Sequence, residues 1–384
     1  MLDFREITIV DSHAHPFIPT REKEDFTYAF SMCTHKGLKD FHYLTSYQMA
    51  LQEYKRLFQL SHANEEEVVE IRNEKAKADY KGFVKALYQD AGIVSMISDS
   101  GFPITGEGLT PNEFKVFHET MEDVCQVYDL IRVETTCDRY LYRKNLSFEE
   151  MLKAFDQYVK DYIKDHSVAG IKTVVGYYTG LKWAPVTYEE ARVNYETVYQ
   201  GKYISDRKDK PFRDYMVYHG MELAHQYGIA FQIHSGVGDP PACDLRLMNP
   251  NDLYELINTD IGKQTKIVIV HSGFPYGYES AFLAANYTNV YLDISSTVSY
   301  LGRAVETEFR KVLDVCPHNK IMYGSDGGGN VDQSWFAANY FKRVLAETLE
   351  DYINKNYFSR AYCEGIGDMI LRKNAEDLYC LKKI

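Results

Sequence analysis

No stretch of this 384-residue sequence approaches the roughly 20 consecutive apolar residues that a membrane-spanning helix requires, so no membrane partner is expected. Positive charge is in deficit. Lys and Arg number 43 against 55 Asp and Glu, and a net charge of −12 argues against a nucleic-acid partner, which needs clustered cations. Cys-x-x-Cys pairs are missing altogether. The seven cysteines (33, 125, 137, 243, 316, 363 and 380) are scattered and odd in number. That pattern excludes a disulfide framework and a thiolate zinc site, and it points to a reducing compartment. No cationic region followed by an apolar core precedes the first apolar run, so no signal peptide is read and a cytoplasmic location is expected. Phosphate-cradling glycine turns are absent too. "DSHAHPF" stands where a dinucleotide fold would carry its glycines, and the glycines at 327–329 are not followed by Lys and Ser or Thr. Ser325 lacks the glycine two residues before it that a Gly-x-Ser-x-Gly elbow requires.

What the sequence does have is a recurrent short apolar run, rich in Ile and Val and bounded by Gly, Asp and Ser. The runs are "ITIVDSH" (7–13), "GIVSMISDS" (92–100), "DLIRVETT" (129–136), "AGIKTVVGY" (169–177), "IAFQIHSG" (229–236), "KIVIVHSG" (266–273), "NVYLDISS" (289–296) and "KIMYGSDGG" (320–328). Continuous apolar runs alternating with helical patterns indicate parallel strands buried on both faces. Eight of them predict an α/β fold of the (β/α)8 TIM-barrel kind, as one domain over 1–384. Two spacings are too long for a bare barrel. A helical, charged insertion is expected over 20–90 after strand one, and an aromatic, charged cap over 177–215 after strand four.

Barrel enzymes place their chemistry at the C-terminal ends of the strands, so the residues that end each run decide the matter. Run one ends in His13 and His15, which as i and i+2 in a strand share a face with side chains roughly 6–7 Å apart. Run five carries His234, run six His271 and run eight Asp326, while Lys172 is placed near the beginning of strand four. Each alone has an ordinary explanation. A strand-end histidine caps a backbone group, and Asp326 would serve as a helix N-cap. Jointly they point to a divalent ion, with zinc the favoured one, and with coordination positions left open for water. Arg139, Lys182, Arg246 and Arg303 follow strands three, four, five and seven, where they could meet a substrate carboxylate. Tyr276 and Tyr278 follow strand six. Cys137 and Cys243 lie just past strand ends, but no sequence feature ties either to a base.

The order His-x-His, Lys, His, His, Asp resembles the metal-dependent amidohydrolase superfamily. More closely, "FQIHSGVGDP", "MNPNDLYELI", "KIVIVHSGFPYGYESAFLAANYTNVYLDIS", "IMYGSDGG" and "ILRKNAEDLY" are similar to its amidohydrolase-2 branch, above all to the amidohydrolase domain found alone or fused to glutamine synthetase-like domains. The resemblance implies that His13, His15 and Asp326 hold one ion and His234 and His271 a second, with Lys172 bridging them as a carbamate. One or two ions per chain are thus expected. It also implies a metal-activated hydroxide that cleaves a C–N bond, with Asp326 moving the proton and His271 assisting. The implied substrate is a small acidic molecule such as a γ-glutamyl amide. Arg246, Tyr276, Arg139 and Tyr178 are the candidate contacts, Tyr178 standing where the family pattern leads one to expect arginine. Two alternatives remain: a one-ion decarboxylase or C–C hydrolase of the same branch, and an inactive, metal-stabilised interaction module. A homo-oligomer is left open.

Overall fold

A computed structural model describes residues 1–17, 29–30, 40–101, 109–203, 206–238, 243–295 and 297–382. Cys33 and parts of the expected 20–90 insertion lie outside the described residues. Eight parallel strands follow one another in chain order around the sheet. They are β1 (Ile9–Ala14), β2 (Ile93–Asp99), β3 (Gln126–Arg132), β4 (Val168–Thr173), β5 (Ala230–His234), β6 (Ile267–Val270), β7 (Val290–Asp293) and β8 (Ile321–Met322). The continuous apolar runs have a direct cause: both faces of the sheet are covered. Val10, Ile97, Leu130, Ala230, Val268 and Met322 form an inner cluster that Leu378, Tyr379 and Leu381 join from the end of the chain. Ile9, Met96, Ile131, Phe231, Ile267, Ile269 and Leu292 belong instead to the large core beneath the helices.

The strand boundaries depart from the sequence expectation in three places. Lys172 is the fifth of six residues in β4, hence near its C-terminal end and not its beginning. The third run stops being a strand at Arg132, and Val133–Thr135 coil into a helical turn. The buried Glu134 carboxylate explains that turn, since it accepts the hydroxyl of Thr173 at 2.5 Å and the backbone N–H of Val174 at 3.0 Å. The eighth run pairs as a strand only over Ile321–Met322. Asp11 bends the chain after it by accepting the Ser325 N–H at 2.8 Å and the Ser325 hydroxyl at 2.5 Å, and Asp326 adopts a left-handed φ of 54°. Three backbone bonds then tie β1 to this bent segment: Ser12 N–H to Tyr323 O (3.0 Å), Asp326 N–H to His13 O (2.8 Å) and His15 N–H to Gly327 O (2.7 Å).

Helices begin where capping boxes are written into the sequence. Asn64 with Glu67, Thr110 with Glu113, Ser147 with Glu150 and Thr187 with Glu190 each satisfy one another's backbone donors. Between β1 and β2 the described chain folds as helices Thr45–Phe58, Glu65–Ala78 and Tyr80–Ala91. The middle one is pinned to the barrel by a buried ion pair. Arg72 donates from Nη2 to Asp332 Oδ2 at 2.5 Å and from Nε to Oδ1 at 3.0 Å, and Tyr54 donates to the same carboxylate. Asp332 opens the Val331–Asn354 helix directly after the bent segment that carries Asp326. Among the described residues no helix is long and apolar enough to cross a membrane.

Two stability measurements follow from these contacts. Arg72→Met takes the guanidinium from the buried Asp332 carboxylate, and the expected loss in urea unfolding is about 3–5 kcal/mol. A loss under about 1 kcal/mol would mean that the pair holds nothing in place. On the outer face, the Lys210–Tyr227 helix carries His219, which lies 2.7 Å from Asp156 of the Phe148–Asp165 helix and 3.4 Å from Glu222. Burial opposes its protonation, but these carboxylates outweigh it and raise its pKa from 6.5 to about 9. Folded His219 therefore binds its proton more tightly than the unfolded chain does. Its contribution, at most about 3 kcal/mol, is complete below pH 6.5 and is lost as pH rises through about 9. The stability gap between the wild type and His219→Gln should close over that window. A gap unchanged from pH 6 to pH 10 would contradict the assignment.

Candidate metal centre

The ends of β1, β5 and β6 and the segment after β8 bring five predicted residues together in one buried cluster. Asp326 Oδ1 lies 3.4 Å from His13 Nε2 and 3.3 Å from His15 Nε2, and its Oδ2 lies 3.9 Å from His271 Nε2. His271 Nε2 is in turn 3.1 Å from His234 Nδ1. The first strand supplies its two histidines because the backbone bonds to the bent segment hold His13 and His15 against Asp326. His271 follows β6 in a left-handed turn, with φ of 63° at His271 and 46° at Ser272.

Burial sets the charge state of the cluster. It pushes His13 and His234 well below the usual histidine range, helped by Lys172 beside the first and by His271 beside the second. It pushes His271 down to about 4. These imidazoles are neutral at pH 7, the form that binds a metal ion. Burial also disfavours charge on Asp326, but His271, His13 and His15 outweigh it and hold the carboxyl well below the carboxylate range. Neutral imidazoles around one carboxylate are a donor set for a borderline divalent ion. Two donors at about 2.0–2.1 Å from one tetrahedral ion lie about 3.3 Å apart. The spacings of Asp326 Oδ1 from His13 and His15 match that figure. His13 Nδ1 and His234 Nε2, the ring nitrogens other than those making these contacts, are buried without a hydrogen-bond partner. The residues present fit a divalent ion.

Lys172 reaches the same place from β4. Its Nζ lies 2.8 Å from His13 Nε2 and 2.9 Å from Asp99 Oδ2. Asp99, at the end of β2, is clamped by Arg132, which donates from Nη2 at 2.6 Å and from Nε at 3.0 Å. Burial works against charge on Asp99, yet Arg132 and Lys172 hold its carboxyl well below the usual range. Burial likewise lowers the Lys172 pKa, with Asp99 working the other way. Histidines 13 and 15 with Asp99 form a second grouping of donor atoms close enough to share an ion.

The predicted substrate contacts scatter. Arg139 sits half-buried on the π-turn Thr136–Leu141 that follows β3. Tyr178 is buried, with the Arg213 guanidinium 4.1 Å above its ring. Tyr276 donates its hydroxyl to the carbonyl of Leu245 at 2.8 Å. Arg246 is 88% exposed and paired with Asp244 at 2.8 Å. As for the cysteines, burial pushes the Cys137 thiol well above its ordinary range, so a thiolate nucleophile is disfavoured there. Sequence reasoning passed over Asp99, Arg132, Asp293 and Ser295. The signal was present for Asp99 and Asp293, because both end a strand just as the histidines do.

A (β/α)8 barrel with buried imidazoles around a half-buried carboxylate at the C-terminal ends of its strands defines a class of metal-dependent enzyme. The amidohydrolase family profile, in its second branch, matches residues 173–381, more than half of the sequence, and the chain belongs to that family. Protein fluG of Emericella nidulans is 25% identical over 411 aligned positions, covering 98% of this chain and 46% of that protein. The chain thus spans about half the length of the curated relative it matches. In fold it is similar to a candidate metal-dependent hydrolase from Lactobacillus casei, with a TM-score of 0.82, 21% identity and 100% of both chains covered. It also resembles the uronate isomerase of Thermotoga maritima, with a TM-score of 0.69, 13% identity and 98% and 95% of the two chains covered. These likenesses are of fold. Family membership implies a divalent metal, and the His/Asp cluster offers it a place.

Proposed function

We propose that the chain is a metal-dependent hydrolase that cleaves a C–N bond of amide type in a small acidic substrate, γ-glutamyl amides being the class to try first. The observation that carries this is Asp326, a half-buried carboxylate facing the Nε2 atoms of the buried His13 and His15 at 3.3–3.4 Å, with His271 and His234 beside it. His13, His15, His234, His271 and Asp326, with Lys172 as a carbamate, would hold one or two ions, zinc first among candidates. A bound divalent ion polarises a carbonyl and lowers the pKa of water from 15.7 to about 7. Asp326, ionised at pH 7, accepts the proton of the attacking water at a carboxylate oxygen and passes it to the leaving nitrogen. Arg139, half-buried on the turn after β3, is the guanidinium to try first for a substrate carboxylate, ahead of the exposed Arg246. The acidic-substrate class rests on the resemblance to domains fused to glutamine synthetase-like partners.

One contact favours a second reading. Lys172 pairs with Asp99 at 2.9 Å, and a carbamate there would set a second anion against that carboxylate. A free ammonium in that position suits a one-ion site, and with it a decarboxylase or C–C hydrolase of the same branch.

Metal stoichiometry and turnover test both. Protein stripped with a chelator should hydrolyse none of a panel of γ-glutamyl and N-acyl amides and should recover on addition of Zn2+ or Mn2+. Asp326→Asn should lower kcat by about 10²- to 10⁴-fold. Two ions per chain, with a carbon-13 carbamate signal after labelling with bicarbonate, would support the amide hydrolase. One ion, a free Lys172 and carbon dioxide released from a carboxylic-acid panel would transfer the assignment to the second reading. No turnover by metal-replete protein on either panel would reject both.

A further inference from the structure

His271 is gripped from the side opposite the cluster. Its backbone N–H donates to Asp293 Oδ1 at 3.2 Å, and the Ser272 hydroxyl donates to the Asp293 carbonyl at 2.9 Å. These bonds hold two consecutive non-glycine residues in the left-handed region, a conformation that persists only where surroundings enforce it. The ring is held as well. His271 Nδ1 lies 2.8 Å from Ser295 Oγ, and the Ser295 hydroxyl is hydrogen-bonded to Asp293 Oδ1. Asp293 also accepts the Ser295 N–H at 3.0 Å and the Ser12 hydroxyl at 2.6 Å. Asp293, Ser295 and Ser12 are wholly buried. The packing leaves no slack: a Cβ at Gly324 would stand 2.3 Å from Asp293 Oδ2 and 2.9 Å from Ser295 Cβ.

The direction of these bonds fixes the ring. Asp293 is met by hydroxyl and amide donors, so it acts as acceptor, and the one proton of the Ser295 hydroxyl goes to it. Ser295 Oγ then receives the Nδ1–H of His271, which leaves the lone pair on Nε2, the atom facing His234 and Asp326.

We infer that Asp293 and Ser295 are positioning residues, a serine-relayed carboxylate that sets the tautomer and orientation of His271 so that its Nε2 is presented to a divalent ion. This rests on the metal-centre reading above. A carboxylate behind a metal-binding histidine raises its basicity, and losing such a partner typically costs 10- to 100-fold in metal affinity.

Co2+ binding tests this, since it reads both affinity by competition with a chelator and geometry by the visible absorption of the ion. Ser295→Ala should weaken Co2+ binding roughly 10- to 100-fold and change the absorption band, with thermal unfolding of the metal-free protein little altered. Asp293→Asn should act in the same direction. Because Asp293 also holds Ser12 and the β6 turn, Ser295→Ala decides the matter if that variant fails to fold. Wild-type affinity and spectrum in Ser295→Ala would overturn the inference. So would a loss of metal-free stability with no change in Co2+ affinity. Retained affinity in Ser295→Ala with loss in His271→Ala would overturn the relay and leave the metal centre standing. A wild type that binds no Co2+ would overturn the metal centre itself.

Discussion

The join between the first strand and the chain beyond the last one carries the site. Three backbone hydrogen bonds make it, from Ser12 to Tyr323, from Asp326 to His13 and from His15 to Gly327. Without them, two histidines near the start of the chain and an aspartate more than three hundred residues later would have no reason to meet. The join is not a regular ladder, because β8 pairs with β7 over two residues only. Asp11 supplies what the ladder lacks, taking both the backbone and the hydroxyl of Ser325 and turning the next residue into the cluster. An aspartate within β1 thus fixes a second aspartate beyond β8.

Around this join the protein places charge in layers. Nearest the barrel axis are imidazoles kept neutral by burial and a carboxylate kept ionised by those imidazoles. Behind them stand two further carboxylates with different partners. Asp99 is neutralised by Arg132 and Lys172, whereas Asp293 is met by serine hydroxyls and backbone amides. Buried carboxylates are costly, and these two partner sets are different ways of offsetting that cost. Only the first brings cations beside the cluster, which is why Lys172 decides between the two chemistries proposed for the site.

Much of the fold was legible because its periodicities are local. Runs of Ile and Val about the length of one strand, and the capping boxes at Asn64, Thr110, Ser147 and Thr187, report structure that neighbouring residues settle among themselves. The end of β3 was not legible. Val133 to Thr136 continue the strand composition, yet they coil because Glu134 finds donors on Thr173 and Val174, 39 and 40 residues away. The same holds at β8, where "YGSD" reads as strand and turn but bends under Asp11 of the opposite end of the chain.

The amino-acid sequence by itself determined which side chains are candidates for a metal, His13, His15, Lys172, His234, His271 and Asp326, since residue type and position in a strand are local properties. Only the tertiary structure decided that Lys172 faces Asp99, that Arg246 turns to Asp244 while Arg139 is half-buried, and that Asp293 stands behind His271. The physical reason is that pairing and burial belong to neighbours in space. A lysine's charge state and a histidine's tautomer are set by groups that no spacing along the chain reveals.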